Sequence, residues 1–194
     1  MTFILFLIAA YLIGAIPCGV VLTRLTGAGD VRGSGSGNIG ATNVYRTAGR
    51  KLGILTLVGD MLKGLLPMLV AVNSAFTPTQ IALIAGALFL GHCYPVYLGF
   101  KGGKGVATAL GIFLVLSPAA VLIALALFVV LVWIWRYISL GSISAAAAFP
   151  FLIFAIDKSL PLFFGTLFIS VMVIIRHRAN IERLLAGKEN KFNF

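Results

Sequence analysis

The stretch Gly105–Trp135, GVATALGIFLVLSPAAVLIALALFVVLVWIW, decides how this chain folds. It carries no charge and is interrupted only at Ser117-Pro118. About 20 apolar residues at helical rise cross the roughly 30 Å of hydrocarbon in a bilayer. The stretch is therefore either one long kinked helix or two spans joined by a tight turn. Further apolar runs occur at Thr2–Thr23, Leu52–Val72, Thr79–Phe100, Tyr137–Ile156 and Leu160–Ile175. Splitting at Pro118 into Gly105–Ser117 and Pro118–Trp135 makes seven spans. With the N-terminus outside, Arg24, Arg32, Arg46, Arg50, Lys51, Lys101, Lys104, Arg136, Arg176, Arg178, Arg183, Lys188 and Lys191 then share one face. Only Lys158 lies opposite, and Lys63 falls within a span. Six spans would set the Arg176–Lys191 cluster against the Arg24–Lys51 loop, contrary to the cytoplasmic bias of Lys and Arg.

Composition agrees with a membrane solvent. The 194 residues are 60% hydrophobic and 10% charged, with 22 Gly, 15 Phe and a net charge of +10, whereas soluble domains are about 25% charged. A soluble enzyme and a nucleic-acid-binding module are thereby excluded. No alternating pattern suggests spanning strands. Cys18 and Cys93 sit inside apolar runs and offer neither a disulfide framework nor a metal-ligand spacing. No Lys or Arg precedes the first run, which is too long for a cleaved signal and reads as a retained span. The expectation is an all-α integral membrane protein, one seven-span domain over residues 1–194. Its N-terminus is outside and its C-terminus cytoplasmic, with loop 24–51 and tail 176–194 contributing to a site.

The polar residues gather in three clusters on the basic face. In Gly33–Arg46, GSGSGNIGATNVYR, glycines allow backbone N–H groups to converge while Ser36, Asn38, Thr42, Asn43 and Arg46 add donors. Together with Gly37 and Gly40 these suit a phosphate; the alternative is a flexible linker. Gly35-x-Gly37-x-x-Gly40, with Asp60 downstream, matches a dinucleotide fingerprint literally, but that motif works only between a strand and a helix. The second cluster, Lys101-Gly102-Gly103-Lys104-Gly105, leads into the fourth span, whose helix N-terminus and Lys104 would attract an anion. The alternative is a basic turn of the inner leaflet. That fourth span is short, so its start is recessed, where irregular backbone is tolerated if it lines a polar cavity.

The third cluster is His177-Arg178-Ala179-Asn180-Ile181-Glu182-Arg183, followed by Gly187 and Glu189. If it is helical, His177 and Asn180 share a face, and a His is suited to general-base work; a polar end to the last span is the competing reading. Asp60 and Lys63, three residues apart inside span two, would each be costly alone and are expected to pair, as a structural or a functional device. His92 reads as a partner between helices. Ser139, Ser142 and Ser144 face either the cavity or neighbouring helices; Ser142 is the site candidate among them. No metal motif and no cofactor motif is present, so neither is expected. A one-sided basic face with two glycine-rich anion sites points to a phosphate-bearing substrate pair, one member with an acyl chain. An acyl or phospho transfer follows, and a small phosphate-ester or anion carrier is the competing class.

Three ordered motifs, Ser36-Gly37-Asn38-Ile39-Gly40-Ala41-Thr42-Asn43 through Arg46, Gly102-Gly103-Lys104-Gly105-Val106-Ala107-Thr108, and His177 with Asn180, Arg183, Gly187 and Glu189, resemble the bacterial acyl-phosphate-dependent glycerol-3-phosphate acyltransferases, the PlsY family. The resemblance covers essentially the whole chain. It implies acyl transfer from acyl phosphate to the 1-hydroxyl of glycerol 3-phosphate, giving lysophosphatidic acid and phosphate, at the cytoplasmic face of the bacterial inner membrane. It implies catalytic roles for His177, Asn180, Lys104 and Ser36. Phosphate-binding roles follow for Ser36, Gly37, Asn38, Gly40, Thr42, Asn43, Arg46, Gly102, Gly103, Lys104, Gly105 and Ser142. Structural roles fall to Glu189, Asp60 and Lys63. The expected partners are the two substrates and membrane lipid, without nucleic acid or an obligate protein partner. The His-x-x-x-x-Asp signature of CoA-dependent acyltransferases is absent, since Tyr97 and Glu182 stand five residues after His92 and His177.

Overall fold

The computed structural model describes residues 2–192, and among them every regular element is helical. The helices are α1 (Thr2–Gly14), α2 (Cys18–Leu25), α3 (Ala41–Ala48), α4 (Arg50–Val72), α5 (Pro78–Cys93), α6 (Val106–Leu116), α7 (Pro118–Trp135), α8 (Ile138–Asp157), α9 (Leu160–Arg176) and α10 (Arg178–Leu185). Four helical segments are long and apolar enough to cross a membrane: Arg50–Val72, Pro78–Leu98, Pro118–Trp135 and Ile138–Asp157. The bent pairs α1–α2 and α9–α10, angled by 46° and 56°, each pass the same test together, whereas α6 is shorter. The chain forms two compact units, one up to Val115 and one from Leu116.

In the first unit, glycines let helices approach to backbone contact, the usual route to tight association in lipid. A Cβ on Gly14 would stand 2.1 Å from the Leu88 carbonyl oxygen, and one on Gly91 would stand 2.3 Å from that of Tyr11, so α1 and α5 cross nearly backbone to backbone. Helices α4 and α6 meet similarly at Gly64 and Gly111. A capping box starts α5: the Gln80 N–H donates to Thr77 Oγ1 at 3.3 Å, and the Thr77 N–H donates to Gln80 Oε1 at 2.9 Å. Val20, Val31, Ile39 and Val44 form a small core under the glycine-rich loop.

In the second unit, α7 packs on α8 and α8 on α9. Gly141 allows the first approach, since a Cβ there would stand 2.8 Å from both the Phe128 ring and the Val132 side chain. Phe154 and Phe163 pack edge to face at 5.5 Å across α8 and α9. Helix α10 ends in a Schellman turn, with Gly187 at φ 65° and the Lys188 N–H donating to the Arg183 carbonyl at 2.8 Å.

One difference from the sequence reading has a clear cause. The first apolar run is not one helix: it breaks at Ala15–Pro17, because Pro17 has no N–H to continue the ladder. The long connection Arg24–Lys51 contains a 3₁₀ turn at Val31–Gly33 and helix α3, and α4 begins at Arg50.

Candidate functional site

The glycine-rich loop between α2 and α3 is built around one side chain. The buried Asn43 Nδ2 donates to the carbonyls of Val31, Ser34 and Asn38 at 3.2, 3.1 and 2.9 Å, while its Oδ1 accepts the Ser36 N–H at 2.8 Å. Gly35, at φ 60°, leaves room for this amide, since a Cβ there would stand 2.3 Å from Asn43 Oδ1. Gly37 turns the chain at φ 68°, and Asn38 Oδ1 accepts the Gly40 N–H at 2.9 Å. Asn43, expected as a donor to a phosphate, thus gives its amide to the loop's own backbone, and the N–H groups of Ser36 and Gly40 are taken up by Asn43 Oδ1 and Asn38 Oδ1. What the loop presents outward is the exposed Ser36 and, from α3, the exposed Arg46. Among the described residues neither of these side chains makes a hydrogen bond or ion pair within the protein. Thr42 lies half-buried in the first turn of α3.

Beside the loop, Asp30 joins Arg24 and Arg32 at 2.7 and 2.6 Å. The Arg32 guanidinium and N–H, with Arg24, hold the Asp30 carboxyl well below the usual carboxylate range. All three are exposed enough that the cluster organises the loop surface without adding much stability.

The second cluster closes the turn between α5 and α6. The Gly102 N–H donates to the Cys93 carbonyl and the Gly103 N–H to that of His92, both at 3.1 Å. A Cβ on Gly102 would stand 2.2 Å from the His92 carbonyl oxygen, and one on Gly105, at φ 80°, would meet the Phe89 ring at 2.2 Å. These glycines fold the loop back onto the end of α5, and Lys104 stands just before the first turn of α6. The N-terminal turn of that helix and a Lys side chain beside it are the kind of arrangement that suits an anion.

Asp60 and Lys63 pair on α4 at 2.8 Å with side chains 2% and 4% exposed. Lys63 Nζ also donates to the Ile16 carbonyl at 2.6 Å, satisfying a group in the break between α1 and α2. His92 lies within this cluster, its Nδ1 3.6 Å from Asp60 Oδ1.

In the second unit, the buried His177 occupies the junction of α9 and α10 rather than a continuous helix. Its Nδ1 lies 2.7 Å from the Val173 carbonyl, an arrangement that requires a proton on Nδ1. The buried Asn180 sits in the next turn and gives its Nδ2 to Glu189 Oε1 at 2.6 Å. Glu189 also accepts from Ser139 at 2.9 Å and Arg183 at 2.7 Å. Burial pushes the Glu189 carboxyl up, but donors from Asn180, Arg183 and Ser139 outweigh it and hold the group below its ordinary range. Ser142 instead donates to the Ile138 carbonyl of its own helix at 2.9 Å. The sequence reading missed Ser139 as the tail's partner. The chain reverses at Gly187 and returns to α8, and beyond Glu189 the Phe192 N–H donates to the Arg136 carbonyl at 2.7 Å.

Comparison with known proteins gives one consistent answer. A family model described as glycerol-3-phosphate acyltransferase matches residues 4–187. A glycerol-3-phosphate acyltransferase of Syntrophotalea carbinolica is 64% identical over 98% of both chains, and one of Fusobacterium nucleatum is 44% identical over 100% of both. A crystal structure of PlsY (YgiH), an integral membrane glycerol 3-phosphate acyltransferase in its glycerol 3-phosphate form, superposes with a TM-score of 0.95 at 41% identity, covering 100% of this chain and 96% of that one. Its lysophosphatidic acid form gives 0.92 at 40% identity with the same coverage.

Proposed function

The chain belongs to the glycerol-3-phosphate acyltransferase family and is a membrane acyltransferase, and on that premise we propose that its donor is acyl phosphate and its products are lysophosphatidic acid and inorganic phosphate. The observation that carries this reading is the pair of glycine-shaped loops of the first unit, each presenting a cation, Arg46 or Lys104, beside main-chain turns suited to a phosphate. A donor and an acceptor that each bear a phosphate would call for two such places. The missing His-x-x-x-x-Asp signature supports a donor other than a thioester.

In the proposed reaction the 1-hydroxyl oxygen of glycerol 3-phosphate attacks the acyl carbonyl carbon. The new ester C–O bond forms, the C–O bond to phosphate breaks, and the phosphate leaves with the electron pair. The hydroxyl proton passes to the departing phosphate oxygens, so no protein nucleophile is needed. Cys93, which is fully buried, and Cys18, inside α2, are poorly suited to that part. Ser36 and Arg46 bind one phosphate; Lys104 and the main chain from Gly105 onward bind that of glycerol 3-phosphate, while Gly102 and Gly103, whose N–H groups are held by the end of α5, shape the loop. Several negative charges then meet, and fixed cations in a partly dehydrated place lower their repulsion as charge moves onto the leaving group. Positioning supplies most of the rate. In the second unit, His177 and Asn180 are the catalytic candidates, and Glu189 fixes the tail through Asn180 and Arg183. We further propose seven crossings of a bacterial inner membrane, N-terminus outside and reaction at the cytoplasmic face, a reading supported by the one-sided Lys and Arg.

The donor is tested by giving the purified protein glycerol 3-phosphate with palmitoyl phosphate or palmitoyl-CoA. Lysophosphatidic acid from the first alone supports the proposal, and equal or better use of the thioester refutes it. For the proton, His177→Ala at saturating substrate should retain measurable turnover; complete loss in a folded variant would restore His177 as the base.

A further inference from the structure

We infer that Asp60, Lys63 and His92 act as buried positioning residues for glycerol 3-phosphate, the Asp60–Lys63 pair locking the His92 ring against Gly103 and thereby holding the Lys104 loop in shape. The inference rests on the reading of that loop as the acceptor's phosphate site. A pair that served only to neutralise itself would need Asp60 and Lys63 alone. Here the same carboxylate oxygen that meets Lys63 Nζ at 2.8 Å also faces His92 Nδ1 at 3.6 Å. The opposite edge of the imidazole meets the loop: a Cβ on Gly103 would stand 2.1 Å from His92 Nε2 and 3.0 Å from Cδ2 and Cε1. The main chain makes a second tie, His92 accepting the Gly103 N–H and Cys93 the Gly102 N–H.

The ring is therefore wedged between a carboxylate on α4 and the α-carbon of the residue preceding Lys104. Its side chain is 3% exposed, so water cannot take over either contact. The far end of the cluster is fixed as well, because Lys63 Nζ holds the Ile16 carbonyl where the first helix breaks. Rotation of the ring would open the space under Gly103. The loop would then lose the floor that sets where Lys104 begins, and an anion site displaced by about 1 Å loses on the order of a hundredfold in efficiency.

The test is steady-state kinetics of the full chain in detergent, with both KM values measured for each variant. His92→Asn keeps a polar group near the Nδ1 position facing Asp60 but is too short to support Gly103, whereas His92→Gln extends to the far edge of the ring. We expect His92→Asn to raise the KM for glycerol 3-phosphate about tenfold or more, with the KM for acyl phosphate changed less than twofold, and His92→Gln to recover part of the loss. A role confined to satisfying Asp60 predicts the opposite, a wild-type KM for His92→Asn, and that result overturns the inference. A second measurement uses the clash itself. Gly103→Ala should be severely impaired, and adding His92→Ala should restore activity above the single Gly103→Ala variant by vacating the space the methyl requires; a double variant no better than the single one counts against the inference. Lys104→Met serves as the reference. If it leaves the KM for glycerol 3-phosphate unchanged, the loop reading falls and this inference with it; if that KM rises while both His92 variants behave as wild type, the inference alone falls.

Discussion

Lys63→Met should be among the most destabilising single changes in the first unit. Lys63 Nζ and Asp60 Oδ1 are 2.8 Å apart, in side chains 4% and 2% exposed. At an effective dielectric near 20 that separation corresponds to an attraction of about 6 kcal/mol, most of it offset by the cost of bringing both charges out of water. Removing the ammonium leaves that cost without its compensation. An uncompensated buried charge lowers stability by about 3–5 kcal/mol, and the Ile16 carbonyl loses a donor as well. Removing both charges in Asp60→Asn/Lys63→Met takes away the cost together with the attraction, so the double variant should lie within about 1–2 kcal/mol of wild type. The double-mutant cycle should then show non-additivity of about 3 kcal/mol. Unfolding of purified protein in mixed micelles, followed by circular dichroism against the mole fraction of denaturing detergent, reads all four species. A Lys63→Met cost below about 1 kcal/mol, or a double variant as unstable as the sum of the singles, would refute the reasoning.

Asn43→Ala removes four loop hydrogen bonds at once; kcat/KM should fall at least tenfold through misplacement of Ser36 and Arg46, and near-normal kinetics would show that the loop does not need its central amide. Gly91→Leu should block the α1–α5 crossing, where even a Cβ would reach 2.3 Å from the Tyr11 carbonyl oxygen, and should lower the yield of folded protein sharply in size-exclusion chromatography, whereas substitutions at the exposed Gly27, with nothing near its Cβ, are limited to the backbone strain of φ 72°. The tail should loosen in acid. Because Glu189 titrates below its ordinary value when folded, its contribution is complete above the unfolded Glu value of about 4.3 and is lost as pH falls through the lower folded value. Protection of residues 186–192 against hydrogen exchange, taken relative to the free-peptide rate at each pH, should therefore hold from neutral pH down to the unfolded Glu value of about 4.3 and fall as the pH drops below it, and Glu189→Gln should lower it at neutral pH.

Hydropathy and proline punctuation found most helices because a spanning segment must hydrogen-bond its own backbone whatever its neighbours do. The break at Ser117-Pro118 was readable from the sequence for that reason, and α7 begins at Pro118 as expected. The same rule applied to Pro17 would have divided the first run, but an uninterrupted apolar stretch masks a break that carries no charge. The glycine motifs fell on two loops whose turns glycine does shape. They did not say which polar groups face inward: Asn43 and a ligand-binding Asn have the same composition, and only its saturation by three carbonyls and an N–H separates them. His92 and Asp60 are distant in sequence, so their approach depends on how α4 and α5 pack. Likewise Ser139 rather than Ser142 receives Glu189 because of the tail's reversal at Gly187, a feature periodicity on α8 does not carry.

The central claim is acyl transfer from acyl phosphate to glycerol 3-phosphate, and it is tested most directly by measuring phosphate release and lysophosphatidic acid in one reaction of the purified protein. The account predicts the two products in a one-to-one ratio, both requiring palmitoyl phosphate and glycerol 3-phosphate together. Phosphate released equally well without glycerol 3-phosphate, or lysophosphatidic acid formed without phosphate, would contradict it.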